Sequence, residues 1–186
     1  MMDKKVSIIL STYNEATIIE KTINEIFSTI DNVEIVLVDD NSTDGTLEKV
    51  NSFNNKNLKV ISRTSRGLAS AFLLGMINTK GDYIGWTDSN MPQLTHHFKE
   101  MIKKLDNCDI VLLSRYVEGG GDQRSKIRIL SSKIINFTCR LILGNEIKDY
   151  TSSIFLMKRD TLKYSVPIAY GHGEFFLEFL YNVHQK

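Results

Sequence analysis

Two prolines and eleven glycines in 186 residues leave few interruptions to regular structure and exclude collagen-like or proline-rich extended architectures. The chain also has only two cysteines, Cys108 and Cys139. A single pair is no disulfide framework and its spacing matches no metal motif, so both read as reduced structural residues of a cytoplasmic protein. No run reaches the roughly 18 consecutive apolar residues of a membrane span. The early apolar stretch, Val6 to Leu10, turns polar at Ser11 and reads as a strand rather than a signal peptide. A soluble or peripheral chain is expected. Charge of one sign is missing as well: a formal net charge of +1 argues against an extended nucleic-acid-binding face. Any anion bound here should be small.

What is present suffices for one globular domain spanning 1–186, with 42% hydrophobic and 24% charged residues. Val6 to Leu10 and Ile35 to Val38 are apolar runs ended by polar residues, as in buried parallel strands. Between them Ile19, Ile23, Ile26 and Ile30 recur at helical spacing, with Asn14 or Thr17 available as the cap. The alternation continues with helices predicted over Thr43 to Asn51, Arg66 to Asn78 and Pro92 to Leu105, and strands over Leu58 to Ile61, Tyr83 to Trp86 and Asp109 to Leu113. A long helix is predicted over Ser125 to Leu143, a strand over Asp149 to Met157 and a last helix over Gly173 to Gln185. Strands alternating with helices imply an α/β fold with a mostly parallel sheet flanked by helices.

In such sheets ligands sit beyond the carboxyl ends of the strands. Ser11 to Glu15, Asp39 to Ser42, Thr87 to Asn90 and Ser114 to Tyr116 are polar endings that a parallel sheet gathers at one edge. That gathering would bring Glu15, Asp39, Asp40 and Asp88 near Arg115, an arrangement that ligand hydrogen bonds or a divalent cation would stabilise. Each loop alone is more simply a turn or a helix cap. Neither GxGxxG nor GxxxxGK[ST] occurs, so a nucleotide would be held by other means. No GxSxG elbow or other nucleophile constellation is present either.

Ser11-Thr12-Tyr13-Asn14-Glu15 resembles the PTYNE start of family 2 glycosyltransferases, and Val38 to Thr46, VDDNSTDGT, resembles their VDDGSxDGT. Arg66-Gly67-Leu68-Ala69 with Gly75 is similar to KxGLxxAxxxG, and Asp88-Ser89-Asn90 falls where the DxD metal motif lies. Ser114-Arg115-Tyr116 with Gly119 to Gly121, then Asp149 to Phe155, resemble SRY...GGG and DxTSGF of the dolichyl-phosphate mannosyltransferase branch. The matches run in family order along nearly the whole chain.

The resemblance implies a GT-A (Rossmann-like) fold and transfer of a hexose, mannose or glucose, with inversion. The donor would be a nucleotide-diphosphate sugar such as GDP-mannose or UDP-glucose, the acceptor a polyprenyl or dolichyl phosphate, and the cofactor Mg or Mn. It assigns Ser11, Tyr13, Glu15, Val38 and Asp40 to the base and ribose, and Asp88, Ser89 and Asn90 to the diphosphate, with Asp88 and Asn90 on the metal. It assigns Arg115 and Arg128 to phosphate groups, so that Asp88, Arg115 and Arg128 form the expected catalytic set. Relatives continue past the last helix with a strand and a basic R..GxSK segment, so the C-terminal end is expected to be missing.

The sequence departs from the pattern at Asn90, which stands for the second Asp of DxD, at Ser11, which stands for proline, and at Ser153, which stands for glycine. Asn90 still offers a carbonyl oxygen but adds no charge. Two other readings stay open: transfer to a sugar hydroxyl, and a nucleotide-sugar-binding domain without turnover. A hydroxyl acceptor normally needs a base; Asp149 or Glu174 is available, though a structural carboxylate and a helix N-terminal residue are the simpler readings. His96, His97, His172 and His184 lack partners at metal spacing, and Trp86 reads as core. Lys126, Arg128, Lys133 and Arg140 alternate with apolar residues along one helix. Core packing is its default, and rest at the cytoplasmic face of a membrane is the alternative.

Overall fold

The computed structural model describes residues 4–122, 124–171 and 174–185, with the side chain of residue 174 left aside. Six strands alternate with helices: β1 (Val6–Thr12), α1 (Ile19–Thr29), β2 (Val33–Asp39), α2 (Thr46–Asn51), β3 (Leu58–Ser62), α3 (Leu68–Ile77) and β4 (Tyr83–Trp86). Then follow a 3-10 turn (Pro92–His97), α4 (Phe98–Lys104), β5 (Ile110–Leu112), α5 (Lys126–Leu143), β6 (Phe155–Lys158), a second 3-10 turn (Arg159–Lys163) and α6 (Glu174–His184). The strands form one sheet in the order β3-β2-β1-β4-β6-β5.

Strand geometry puts successive side chains on opposite faces, so the apolar run of β1 serves two cores. Ile8 and Leu10 join Ile19, Ile23 and Ile26 of α1, with Phe98 and Met101 of α4, on one face. Ile9 joins Phe72 and Met76 of α3, Trp86, and Phe175, Phe176 and Phe179 of α6 on the other. Each fully buried isoleucine in these layers contributes about 1.5–3 kcal/mol, so the two cores fix the face and register of β1. Gly75 is a close-approach position: a Cβ there would lie 2.5 Å from Cγ2 of Ile9, so only glycine lets α3 press onto the sheet.

The α/β alternation and the parallel pairing of β1 with β2 and β4 agree with the sequence reading. Several boundaries differ. The stretch predicted as a strand from Asp149 becomes a turn over 149–154 followed by a strand of four residues, because Asp149 and Thr151 bond Arg115 instead of a neighbouring strand. This strand, β6, runs antiparallel to both β4 and β5. The helix predicted from Thr43 begins at Thr46 because Ser42 and Asp44 use their side chains to accept from the neighbouring loop, and Thr43 donates its N–H to Asn14. Residues 92–97 wind as a 3-10 turn ahead of α4. Neither Asn14 nor Thr17 caps α1, whose cap position is Ile18 without a side-chain bond. Asn14 instead sits at φ 56°, a left-handed value that asparagine tolerates, and its Oδ1 accepts the Thr43 N–H at 2.9 Å. Of the last predicted helix, Gly173 lies outside the described residues, as does His172.

Candidate active site

The carboxyl ends of β1, β2 and β4 lie along one rim because these strands are parallel and in register, with Ser11 opposite Val38 and Thr12 opposite Asp39. The loops after β1 and β2 brace each other across it. The main-chain N–H groups of Asn14, Glu15 and Ala16 donate to the side chains of Ser42, Thr46 and Asp44 at 2.9, 2.9 and 3.0 Å. The loop after β4 is tied to α1, whose buried Thr22 hydroxyl donates to the Ser89 carbonyl at 2.5 Å. Glu15, Asp88 and Asn90 therefore have fixed backbones.

These three form the centre of the rim. The Glu15 carboxyl is held above its ordinary value first by burial and then by the charges of Asp44 and Asp88, while a hydrogen bond with the Asn90 side chain opposes the rise. Ser11, at the end of β1, has a buried hydroxyl without a hydrogen-bond partner. Tyr13 is partly exposed, with the Arg66 guanidinium 3.5 Å from its ring centroid. Ser89 is buried under the loop, and Val38 is fully buried within the sheet, which keeps its side chain out of a ligand's reach.

The two aspartates after β2 face inward. Asp39 is fully buried and accepts from the Thr12 hydroxyl, the Ser42 N–H and the Ser42 hydroxyl. Asp40 receives the Arg63 guanidinium on both oxygens, at 2.5 and 3.0 Å, and the Gly67 N–H at 2.9 Å. Gly67 holds φ 153° at the entrance to α3, a value that a side chain would strain.

Arg115 belongs to a separate knot beyond β6. Its guanidinium donates to both Asp149 oxygens at 2.9 and 2.8 Å and to the Thr151 hydroxyl at 2.5 Å, and lies 3.8 Å from Asp122. Buried Asn136 of α5 completes the knot by donating to Thr151 Oγ1 and accepting from the Tyr150 N–H, both at 2.7 Å. Burial pushes the Asp149 carboxyl up, but the hydrogen bonds and charge of Arg115 prevail and hold it below the usual range. Asp122, bonded by Arg124, is lowered to about 2. Arg128 is exposed in the first turn of α5. The expected single gathering of carboxylates with Arg115 thus resolves into an acidic centre and two flanks where Asp40 and Asp149 are paired with arginine, because β6 separates β5 from β4.

Reading the sequence missed Arg63 and Asn136, and met Arg66 and Asp44 only within the RGLA and VDDNSTDGT stretches, without a role of their own. Arg63 had a signal, since it follows β3 as the other polar endings follow their strands. Asn136 had none, being one polar residue within an amphipathic helix. Glu174's side chain lies outside the described residues.

Residues 7–165 match the Glycosyl transferase family 2 description. The chain belongs to this family. It is 35% identical over 171 residues to a dolichol-phosphate mannosyltransferase of Pyrococcus furiosus, covering 86% of this chain and 47% of the relative. It is 30% identical over 128 residues to the Saccharomyces cerevisiae dolichol-phosphate mannosyltransferase, covering 64% of this chain and 48% of the relative. The chain therefore spans about half the length of these two relatives. Among solved structures, glucosyl-3-phosphoglycerate synthase of Mycobacterium tuberculosis, in a complex with Mn2+, UDP and glucosyl-3-phosphoglycerate, superposes with a TM-score of 0.72 at 19% identity. That match covers 95% of this chain and 64% of the other. The fold is GT-A, as the family resemblance implies.

The Mycobacterium tuberculosis structure holds Mn2+ together with UDP, and the residues here would suit a cation shared with a diphosphate better than a closed cage. Among the described residues no group of three or more His, Cys, Asp or Glu side chains could hold a metal by itself. The crowded centre nevertheless offers the donor chemistry a hard cation takes: the Asp88 carboxylate and the Asn90 carbonyl oxygen would be available to it, with a diphosphate supplying the rest.

Proposed function

We propose that this family 2 glycosyltransferase moves a hexose, mannose or glucose, from a nucleotide-diphosphate sugar to a polyprenyl phosphate with inversion at the anomeric carbon. The observation that carries this reading is the centre of the rim, where Glu15 is destabilised as an anion by burial and by two neighbouring aspartates beside Asn90. A site that crowds carboxylates at the carboxyl edge of a parallel sheet favours a ligand bearing a cation.

In this reading Tyr13, Glu15, Asp40, Ser11 and the main chain at Val38 form the part of the rim that receives the base and ribose. Asp88 and Asn90 hold Mg or Mn, and Ser89 supports their loop. When bound, the cation would offset the negative charge that develops on the departing diphosphate. Arg115, positioned by Asp149, and the exposed Arg128 offer guanidinium groups to phosphate oxygens. A phosphate oxygen of the acceptor forms a bond to the anomeric carbon from the face opposite the donor. The bond to the nucleoside diphosphate breaks, and its electron pair leaves with the diphosphate.

A phosphate acceptor is already anionic and needs no base. This agrees with Asp149, one of two residues considered as a base for a hydroxyl acceptor, being fully engaged by Arg115, Thr151 and Asn136. The acceptor class also draws on the names of the Pyrococcus and yeast relatives. No described helix is long and apolar enough to cross a membrane. Helix α5 nonetheless exposes Ile127, Leu130, Ile134, Phe137 and Leu141 next to Lys126, Arg128 and Lys133, which suits peripheral contact with the cytoplasmic face of a membrane.

The test is incubation of the protein with Mn2+ or Mg2+, GDP-mannose or UDP-glucose, and a short polyprenyl phosphate. Glycolipid product that disappears with EDTA and in Asp88→Ala is the expected outcome. Product formed with sugar acceptors alone would replace the acceptor, and donor binding without any product would replace transfer.

A further inference from the structure

Beside the Arg115 knot, a recess of about 190 Å³ opens between α5 and the segments carrying Tyr116 and Lys148. Tyr116, Lys133, Asn136, Phe137, Arg140 and Lys148 line it. Lys133, Phe137 and Arg140 share one face of α5 by their spacing, and Lys148 approaches from the turn after the helix. Three of the six lining residues are cations and none is an acid.

Among the described residues no carboxylate forms an ion pair with these cations. Arg140 donates through Nε to the Asn145 side-chain oxygen at 2.5 Å and Lys148 donates to the Asn145 carbonyl at 2.8 Å, both neutral acceptors. The Tyr116 hydroxyl is buried without a hydrogen-bond partner. Asn136 is fixed by Tyr150 and Thr151, which makes that wall rigid. Three cations around one recess whose lining holds no carboxylate make it electropositive.

We propose that this recess binds a phosphate group. A volume of about 190 Å³ suits a phosphate with part of its alkyl substituent, and falls short of the roughly 300–1,000 Å³ typical of sites for whole drug-sized ligands. Phe137, 69% exposed, stands in the wall, with Ile134 and Leu141 exposed on the same helix. That rim would accept an apolar chain attached to the phosphate. The anion chemistry is common to a lipid phosphate and a soluble one, and it involves none of the residues assigned to the donor site.

Isothermal titration with inorganic phosphate, without metal or nucleotide, tests the site in the wild type, in Lys133→Gln/Arg140→Gln and in Lys148→Gln. Saturable binding should weaken by about tenfold or more in the double variant and measurably in Lys148→Gln, since each removes a charge-assisted contact. Asp88→Ala should bind phosphate as the wild type does, so this inference and the transfer reaction can fail separately. Matching thermal melts of the variants exclude a folding defect. Geranyl phosphate binding at least about tenfold more tightly than phosphate would assign the site to a lipid phosphate, and equal affinities would assign it to a soluble one. Phosphate binding absent from the wild type, or unchanged in the double variant, overturns the proposal, as does geraniol binding as well as geranyl phosphate.

Discussion

The centre of the carboxyl rim and its two flanks are built from the same residue types and handle charge in opposite ways. On the flanks two carboxylates are paired with arginine, Asp40 with Arg63, both side chains nearly buried, and Asp149 with Arg115, while Asp39 is held by Thr12 and Ser42. In the centre, Glu15 faces Asp44 and Asp88, with an asparagine amide as its nearest relief. A buried carboxylate paired with a guanidinium is structurally complete, whereas carboxylates that repel each other keep their folded arrangement at a cost. The arginine pairs hold Asp40 and Arg115 in place on the flanks, and the centre is where an added cation has most to gain.

The comparison breaks first at Asp149. Asp149→Ala leaves the Arg115 guanidinium without its counter-charge in a part-buried setting, and urea unfolding should show a loss of about 3–5 kcal/mol. A loss below about 1 kcal/mol would mean that the knot is no scaffold at all. Acid should separate the regions next. Asp149 is depressed below 3.8, so its stabilisation is present above that value and lost as pH falls through the lower folded value. Glu15 is raised above 4.5, so its contribution is present below 4.5 and lost as pH rises through the higher folded value. Glu15→Gln should therefore flatten the upper limb of the stability profile and leave the acid limb in place, and an unchanged upper limb would remove Glu15 from the crowded centre. The smallest effect belongs to α5, where Leu141→Ser alters a residue 76% exposed. Its melting free energy should move by no more than about 0.5 kcal/mol. Weaker sedimentation of this variant with anionic vesicles would support membrane contact, and undiminished binding would count against it.

Much of the fold was legible because its signals are local. The β-branched runs of β1 and β2 and the isoleucine spacing of α1 report burial directly, and Tyr83 to Trp86 marks β4 to the residue. The stretch before β6 was not legible, since Asp149 to Ile154 has strand-like content and only a partner distant in sequence, Arg115, turns it into a loop. The site divides the same way. Polar residues after strands identify the rim, and the family motifs place Asp88 and Asn90 on it. Whether an aspartate looks outward or into the protein depends on what lies opposite, and neither the Asp39 contacts with Thr12 and Ser42 nor the Arg63 fork on Asp40 follow from a motif.

The reversed direction of β6 also bears on the order of assembly. β1, β2 and β3 each pair with a strand one helix away, whereas Leu112 must find Phe155 across the whole of α5, and Trp86 must find the same residue from still farther back. Closing so long a segment carries an entropic penalty before any pairing repays it, and the β1–β4 pairing carries a similar one, so the β3-β2-β1 group should consolidate ahead of β4, β6 and β5. In pulse-labelled hydrogen exchange during refolding, amides of β1 and β2 should gain protection before those of β6, leaving the arginine knot among the latest parts of the native state to form.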